Sequence, residues 1–182
     1  MITDLWSKSL AFSRIAPDPV VVTRSDVLSS RNLQELIPPH APVVVAPSVL
    51  ELKLVLNPGA VFGIGAGKRV LFIVVTSVAV IAGVWVFLKW TTARDRLAHA
   101  CLGLVLAGGL GNLYDRLVFG CVRDFLHPLP GVRVAGYEIW PYVSNVADAF
   151  LIVGVAGLMW FLWRAPEPAA TPEPDSKTAP EA

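Results

Sequence analysis

The sequence predicts an all-α transmembrane helical bundle that carries a small extracytoplasmic β-element. Three observations predict it. Charged residues make up 16% of the chain and hydrophobic ones 54%, with a mean hydropathy of +0.60, whereas a soluble domain carries roughly 25% charge. Three segments, 70–88, 97–117 and 143–163, each come close to the roughly 20 apolar residues needed to cross a bilayer. A fourth stretch, about 19–62, instead shows β-branched runs broken by proline. The length of 182 residues fits one domain, and the net charge of +1 gives no basic field to attract nucleic acid.

Residues 1–15 contain Asp4, Lys8 and Arg14 and are too short and polar to span. They also lack the charged and apolar regions of a signal peptide. The expectation is that Asp4 to Lys8 forms the outer end of a fourth, N-terminal span, truncated in this sequence. In the next stretch, Val20-Val21-Val22-Thr23 and Val43-Val44-Val45, separated by Pro38-Pro39 and Pro42, are expected to be strands. The segment 70–88 is uncharged. After it, Lys89, Arg94 and Arg96 fall in a short connection, which the positive-inside rule places in the cytoplasm. Alternation then puts the β-element and the loop at about 118–142 outside, with Trp140 and Tyr142 at the outer interface. Residues 1–163 form the membrane domain, and 164–182, rich in Pro, Glu, Ala and Thr, read as a disordered cytoplasmic tail.

Chemistry-bearing residues gather at the outer ends of the second and third spans. A charge at the centre of a span is unfavourable by about 2.5–3.5 kcal/mol on insertion scales, so polar residues there need a reason. Asn112, Asp115 and Arg116 are spaced i, i+3 and i+4, and Asn145 and Asp148 i, i+3, so each set shares a helix face. Side chains snorkelling at the membrane surface are the structural alternative. Asp115 and Arg116 are expected to form a structural ion pair, since arginine stays charged and matches a carboxylate. That leaves Asp124 and Asp148 uncommitted. Two carboxylates in a partly dry site share one proton, so one can activate water while the other donates to a peptide carbonyl. Three scattered histidines and the lack of a G-x-S-x-G argue against a serine hydrolase. Cys101 and Cys121, outside any C-x-x-C, read as packing residues, and no metal or other cofactor is expected.

Four blocks taken together resemble the lipoprotein signal peptidases, the signal peptidase II family. They are Asp4-Leu5-Trp6-Ser7-Lys8, Asn57-Pro58-Gly59-Ala60-Val61-Phe62-Gly63, the run from Gly108 to Arg116 with Gly120, Val122, Asp124 and Phe125, and Asn145-Val146-Ala147-Asp148. The third is the most specific. The resemblance implies four transmembrane helices, a periplasmic β-cradle and an aspartyl endopeptidase of the bacterial inner membrane, with its active site on the periplasmic side. It implies cleavage of prolipoprotein signal peptides just before a diacylglyceryl-modified cysteine, with membrane lipid and that peptide as partners, by a monomer. It assigns catalysis to Asp124 and Asp148, and site lining or support to Asn57, Gly59, Asn112, Arg116, Asn145, Asp4 and Lys8. The chain departs from the family pattern at Arg123, where an apolar residue is usual, and at Ser144, where Phe is usual. Arg123 is expected to perturb Asp124, and Ser144 to loosen packing. The alternative function is a truncated or inactive relative that binds lipoproteins without cleaving them. A small transporter ranks last, because the middle of each span is apolar.

Overall fold

The computed structural model describes residues 1–59 and 69–164. Residues 60–63 of the second motif block, and the tail from 165 onward, lie outside the described residues. Helix α1 runs Ile2–Arg14, α2 Arg24–Ser29, α3 Arg69–Trp90, α4 Arg96–Val118 and α5 Val146–Arg164, with a 3-10 turn at Leu33–Leu36. Strands are β1 Val43–Ala46, β2 Leu50–Asn57, β3 Val122–Pro128, β4 Arg133–Val134 and β5 Tyr137–Glu138.

Helices α3, α4 and α5 are long and apolar enough to cross a membrane, with hydropathies of 2.7, 1.4 and 2.0 over their most apolar stretches. They match the three expected spans closely, except that 143–145 precede the last helix. No residue of α3 is buried, whereas α4 buries Ala98, Cys101, Leu102, Gly108, Gly109, Gly111, Asn112 and Asp115. The least hydropathic of the three is therefore the packed one, and its glycines explain how. A Cβ on Gly154 would come within 2.8 Å of the Cys101 carbonyl and 3.0 Å of the Val105 amide, both on α4. Backbone cannot yield as a side-chain tip can, so Gly154→Val should force α4 and α5 apart and lower stability by about 1–3 kcal/mol, the usual range for overpacking. Gly103, with nothing within 4 Å of its Cβ position, is the control: Gly103→Ala should leave stability unchanged or raise it by up to ~1 kcal/mol, the helix-propensity gain. Thermal unfolding in detergent checks both.

The β-element is a three-stranded antiparallel sheet in the order β1-β2-β3. Its third strand comes from beyond α4 and pairs Val55 with Asp124 and Glu51 with His127. The expected run at Val20-Val21-Val22-Thr23 is not a strand. Pro17 and Pro19 remove two donors just before it. The Val20 amide donates to the Phe12 carbonyl (2.8 Å), and Thr23 caps α2 by accepting from the Asp26 amide. Val43-Val44-Val45 does form β1. Leu54 and Leu56 of β2, Phe125 of β3, Ala11 and Phe12 of α1, and Val27 of α2 form the apolar core of this end. Helix α1 thus docks under the sheet and turns Asp4 and Lys8, one helical turn apart, into the bundle.

Candidate active site

Four elements converge where α4 ends and α5 begins. Asn145 stands immediately before α5, and its Oδ1 accepts from the Asp148 amide (3.1 Å) while Asp148 Oδ2 accepts from the Asn145 amide (3.2 Å). This is a reciprocal capping box, and it fixes Asp148 in the first turn, where a carboxylate also favours the helix dipole. Asp124 is held on β3, opposite Val55, and is 1% exposed. The two carboxylates are tied together by carboxamides. Asn145 Nδ2 donates to Asp124 Oδ1 (2.6 Å) and to Asn112 Oδ1 (3.1 Å), and Asn112 Nδ2 donates to Asp148 Oδ1 (2.8 Å). Asn57 Nδ2 donates to Asp124 Oδ2 (3.1 Å). Both oxygens of each carboxylate therefore accept an N–H. Asn112 cannot flip, because its oxygen already accepts from Lys8 Nζ (3.1 Å) and Asn145.

Behind the carboxamides lies a buried charge cluster. Asp4, Lys8 and Asp115 are each 0% exposed. Lys8 Nζ lies 2.9 Å from Asp4 Oδ2 and 3.4 Å from Asp115 Oδ2. Asp4 Oδ1 also accepts from the Ala147 amide (2.9 Å), which pins the start of α5. Asp115 does not pair with Arg116. Neighbouring residues on a helix point about 100° apart, and Asp115 instead meets Arg123, whose backbone N, Nε and Nη2 donate to it at 3.0, 3.3 and 2.9 Å. Arg116 turns the other way, toward the carboxylates, and donates to the carbonyls of Asn112 (3.3 Å) and Gly59 (3.1 Å). Gly59 in turn donates its amide to Asn57 Oδ1 (3.0 Å).

Arg123 therefore neutralises Asp115 and stacks on Phe119 at 4.0 Å, while its strand neighbour Asp124 faces Asn57 and Asn145. Alternation along β3 separates the two side chains. Ser144 is tied to β3: its amide and its hydroxyl both donate to the Leu126 carbonyl (2.7 and 3.2 Å), and its own carbonyl accepts from the Phe125 and Leu126 amides.

Asp124 and Asp148 line a cavity of about 660 Å³ together with Asn57, Asn112 and Arg116. Its remaining wall includes Val55, Val122, Val143, Leu151 and Ile152, with Trp140 and Tyr142 from the loop before α5. Lys53 and Gln34 also reach it; of these wall residues only Val122 belongs to a motif block, and the fold alone brings in the rest. Burial, and secondly the charge of Asp148, push the Asp124 carboxyl up to about 7, against which its bonds from Asn145 and Asn57 pull less strongly. Burial likewise pushes the Cys121 thiol up to about 12, so it stays protonated and is no nucleophile. Cys101 and Cys121 are both buried and free.

A family model described as signal peptidase (SPase) II matches residues 1–164. The lipoprotein signal peptidase of Desulfitobacterium hafniense strain DCB-2 is 41% identical over 118 residues, covering 64% of this chain and 71% of that protein. That of Pelotomaculum thermopropionicum is 38% identical over 142 residues, covering 78% and 86%. A bacterial membrane enzyme solved by the in meso method at 2.3 Å resolution superposes with a TM-score of 0.64 at 26% identity, over 89% of this chain and 81% of that one. A second such enzyme, at 1.9 Å, gives 0.59 at 23% identity and speaks to the fold alone.

Proposed function

The chain belongs to the signal peptidase II family, and from that premise we propose that Asp124 and Asp148 are its catalytic pair. It is a bacterial multi-pass membrane protein and an aspartic-type peptidase that removes signal peptides from prolipoproteins. A relative that binds without cutting is not favoured, since the two carboxylates and every donor to them are present. The observation that carries the assignment is their convergence on one partly apolar cavity, each held by two N–H donors.

In this reading the pair holds one proton near neutral pH, on Asp124. Asp148 takes a proton from a water molecule, whose oxygen attacks the scissile carbonyl carbon, while Asp124 donates its proton to the carbonyl oxygen. As the C–N bond breaks, the proton on Asp148 passes to the leaving amine and the hydroxyl proton returns to Asp124, so the pair is restored. The apolar side of the cavity suits the hydrophobic signal peptide and the diacylglyceryl chains of the modified cysteine. Asn57, Gly59, Asn112, Arg116, Asn145, Asp4 and Lys8 support the pair, and Asp115 serves through Lys8 and Arg123. The basic connection holding Lys89, Arg94 and Arg96 lies at the far end of the bundle, which supports a periplasmic site in the inner membrane. The proposed working form is a monomer.

The pH dependence tests the shared proton. A group whose folded pKa is raised keeps its proton below that value and loses it above. With Asp124 at about 7, kcat/KM on a lipidated lipobox peptide should fall as pH rises through about 7. A rate that stays flat to pH 9 contradicts the assignment. Chelators should leave the rate unchanged, because amide N–H donors occupy the positions on both carboxylates where a cation would sit. Loss of activity in chelator with recovery on adding zinc would overturn that.

A further inference from the structure

A second cavity, of about 400 Å³, lies at the sheet-bearing end beside the start of α3. Arg31 and Arg69 line it, and among the described residues no acidic side chain does. Among the described residues neither arginine forms an ion pair, and Arg69 Nε is buried with no hydrogen-bond partner. Leaving a buried guanidinium donor unmatched is unfavourable unless something else meets it. The backbone makes room for this group. Gly120 sits at φ +83°, and a Cβ there would come within 3.0 Å of Arg69 Nη1. The same Cβ position is 3.8 Å from Arg24 Cγ, and Arg24 spends Nη1 on the Leu117 carbonyl (2.6 Å). Two arginines, Arg31 and Arg69, thus line one concave space, and the Arg24 stem lies beside the Gly120 that borders it. An arginine merely snorkelling at a helix end would keep its donors in water; Arg69 Nε is shielded from it.

We propose that this cavity binds the phosphodiester headgroup of an anionic membrane phospholipid. Guanidinium forks match phosphate oxygens in geometry as well as charge. The choice of a lipid over free phosphate rests on position. Arg69 is the first residue of α3, which buries none of its 22 residues. Val70, Leu71, Val74 and Val75 follow it, 68, 51, 53 and 55% exposed. A headgroup on Arg69 leaves acyl chains lying along that apolar surface. The site is separate from the catalytic pair, yet Pro58 lines both cavities, so an occupant of one bears on a wall of the other.

The test uses the full chain in neutral detergent, titrated with short-chain phosphatidylglycerol, phosphatidylcholine or inorganic phosphate and followed by native mass spectrometry and thermal unfolding. One phosphatidylglycerol should be retained saturably per chain, at least about tenfold more tightly than phosphatidylcholine. Arg31→Gln with Arg69→Gln should weaken it by about tenfold or more, and Arg133→Gln, which lies outside the cavity, should not. Arg31→Gln alone changes an exposed side chain and keeps the fold, and should still weaken binding severalfold. Equal retention of the two lipids, or unchanged affinity in both Arg31 variants, overturns the proposal. Inorganic phosphate binding as tightly as phosphatidylglycerol overturns the lipid assignment.

Discussion

Asp124→Asn and Asp148→Asn should each abolish cleavage of a lipidated lipobox peptide while leaving the protein folded and inserted. An amide is nearly isosteric with a carboxylic acid but can neither accept the water proton nor supply one to the carbonyl. A positioned general acid or base contributes roughly 10²–10⁴-fold each, and losses at least this large are expected. The fold should survive, because Asp124 is a group the folded state keeps protonated. Its carboxyl rises from an ordinary 3.8 to about 7 in the fold, so the folded chain holds a proton over that window that the unfolded chain does not. Wild-type stability from this group is fully present below about 4 and is lost as pH rises through about 7. Asp124→Asn removes that dependence, so at pH 8 the variant should unfold no lower than wild type. Near-normal turnover by either variant would sink the pair.

The second large effect is on stability. Lys8→Met should destabilise the protein by about 3–5 kcal/mol, the usual result of stripping one partner from a buried ionic cluster. Lys8 meets Asp4, Asp115 and Asn112 at 0% exposure. Arg123 still covers Asp115, but Asp4 is left without a cation. Adding Asp4→Asn should recover part of the loss, because an asparagine oxygen can still accept from the Ala147 amide while the orphan charge is gone. Lys8→Met should also cut turnover beyond its effect on folding, since Asn112 loses one of the two donors that orient it toward Asp148. Thermal unfolding in detergent and kcat on the folded fraction separate the two effects. An unchanged Tm for Lys8→Met would contradict the account of the cluster.

What the sequence made legible follows from the range of each signal. The three spans are local: a run of apolar residues declares itself, and α3, α4 and α5 fall within a few residues of the expected limits. Helix spacing groups Asn112 on one face and Asn145 with Asp148 on another and leaves Asp124 and Asp148 uncommitted, but only the motif blocks join them in one site, since nothing local links β3 to the start of α5. Sequence and structure part where a residue's partner is distant in sequence. Adjacency suggests Arg116 as the partner of Asp115, but a helix turns adjacent residues apart, and its partners come from α1 and β3. Arg123 reads as a disturbance beside Asp124, although strand alternation sends it to the other face, onto Asp115. Strand β3 itself went unread, because Arg123, Asp124 and His127 hide its character and it pairs with a segment before the first span. Val20 to Thr23 has strand composition, yet proline and a helix cap decide otherwise. Trp140 and Tyr142 read as interface aromatics, and nothing in the sequence assigns them to the cavity wall.

The central claim is that Asp124 and Asp148 act as one device around one proton. The most direct test is the turnover of the Asp124→Asn, Asp148→Asn double variant beside each single, with all three shown folded. Residues that work as a unit give non-additive losses. The account predicts that the double variant cleaves at the same residual rate as either single, because removing one carboxylate already disables the other. A double variant slower than either single by the product of their separate losses would show two independent contributions and contradict it.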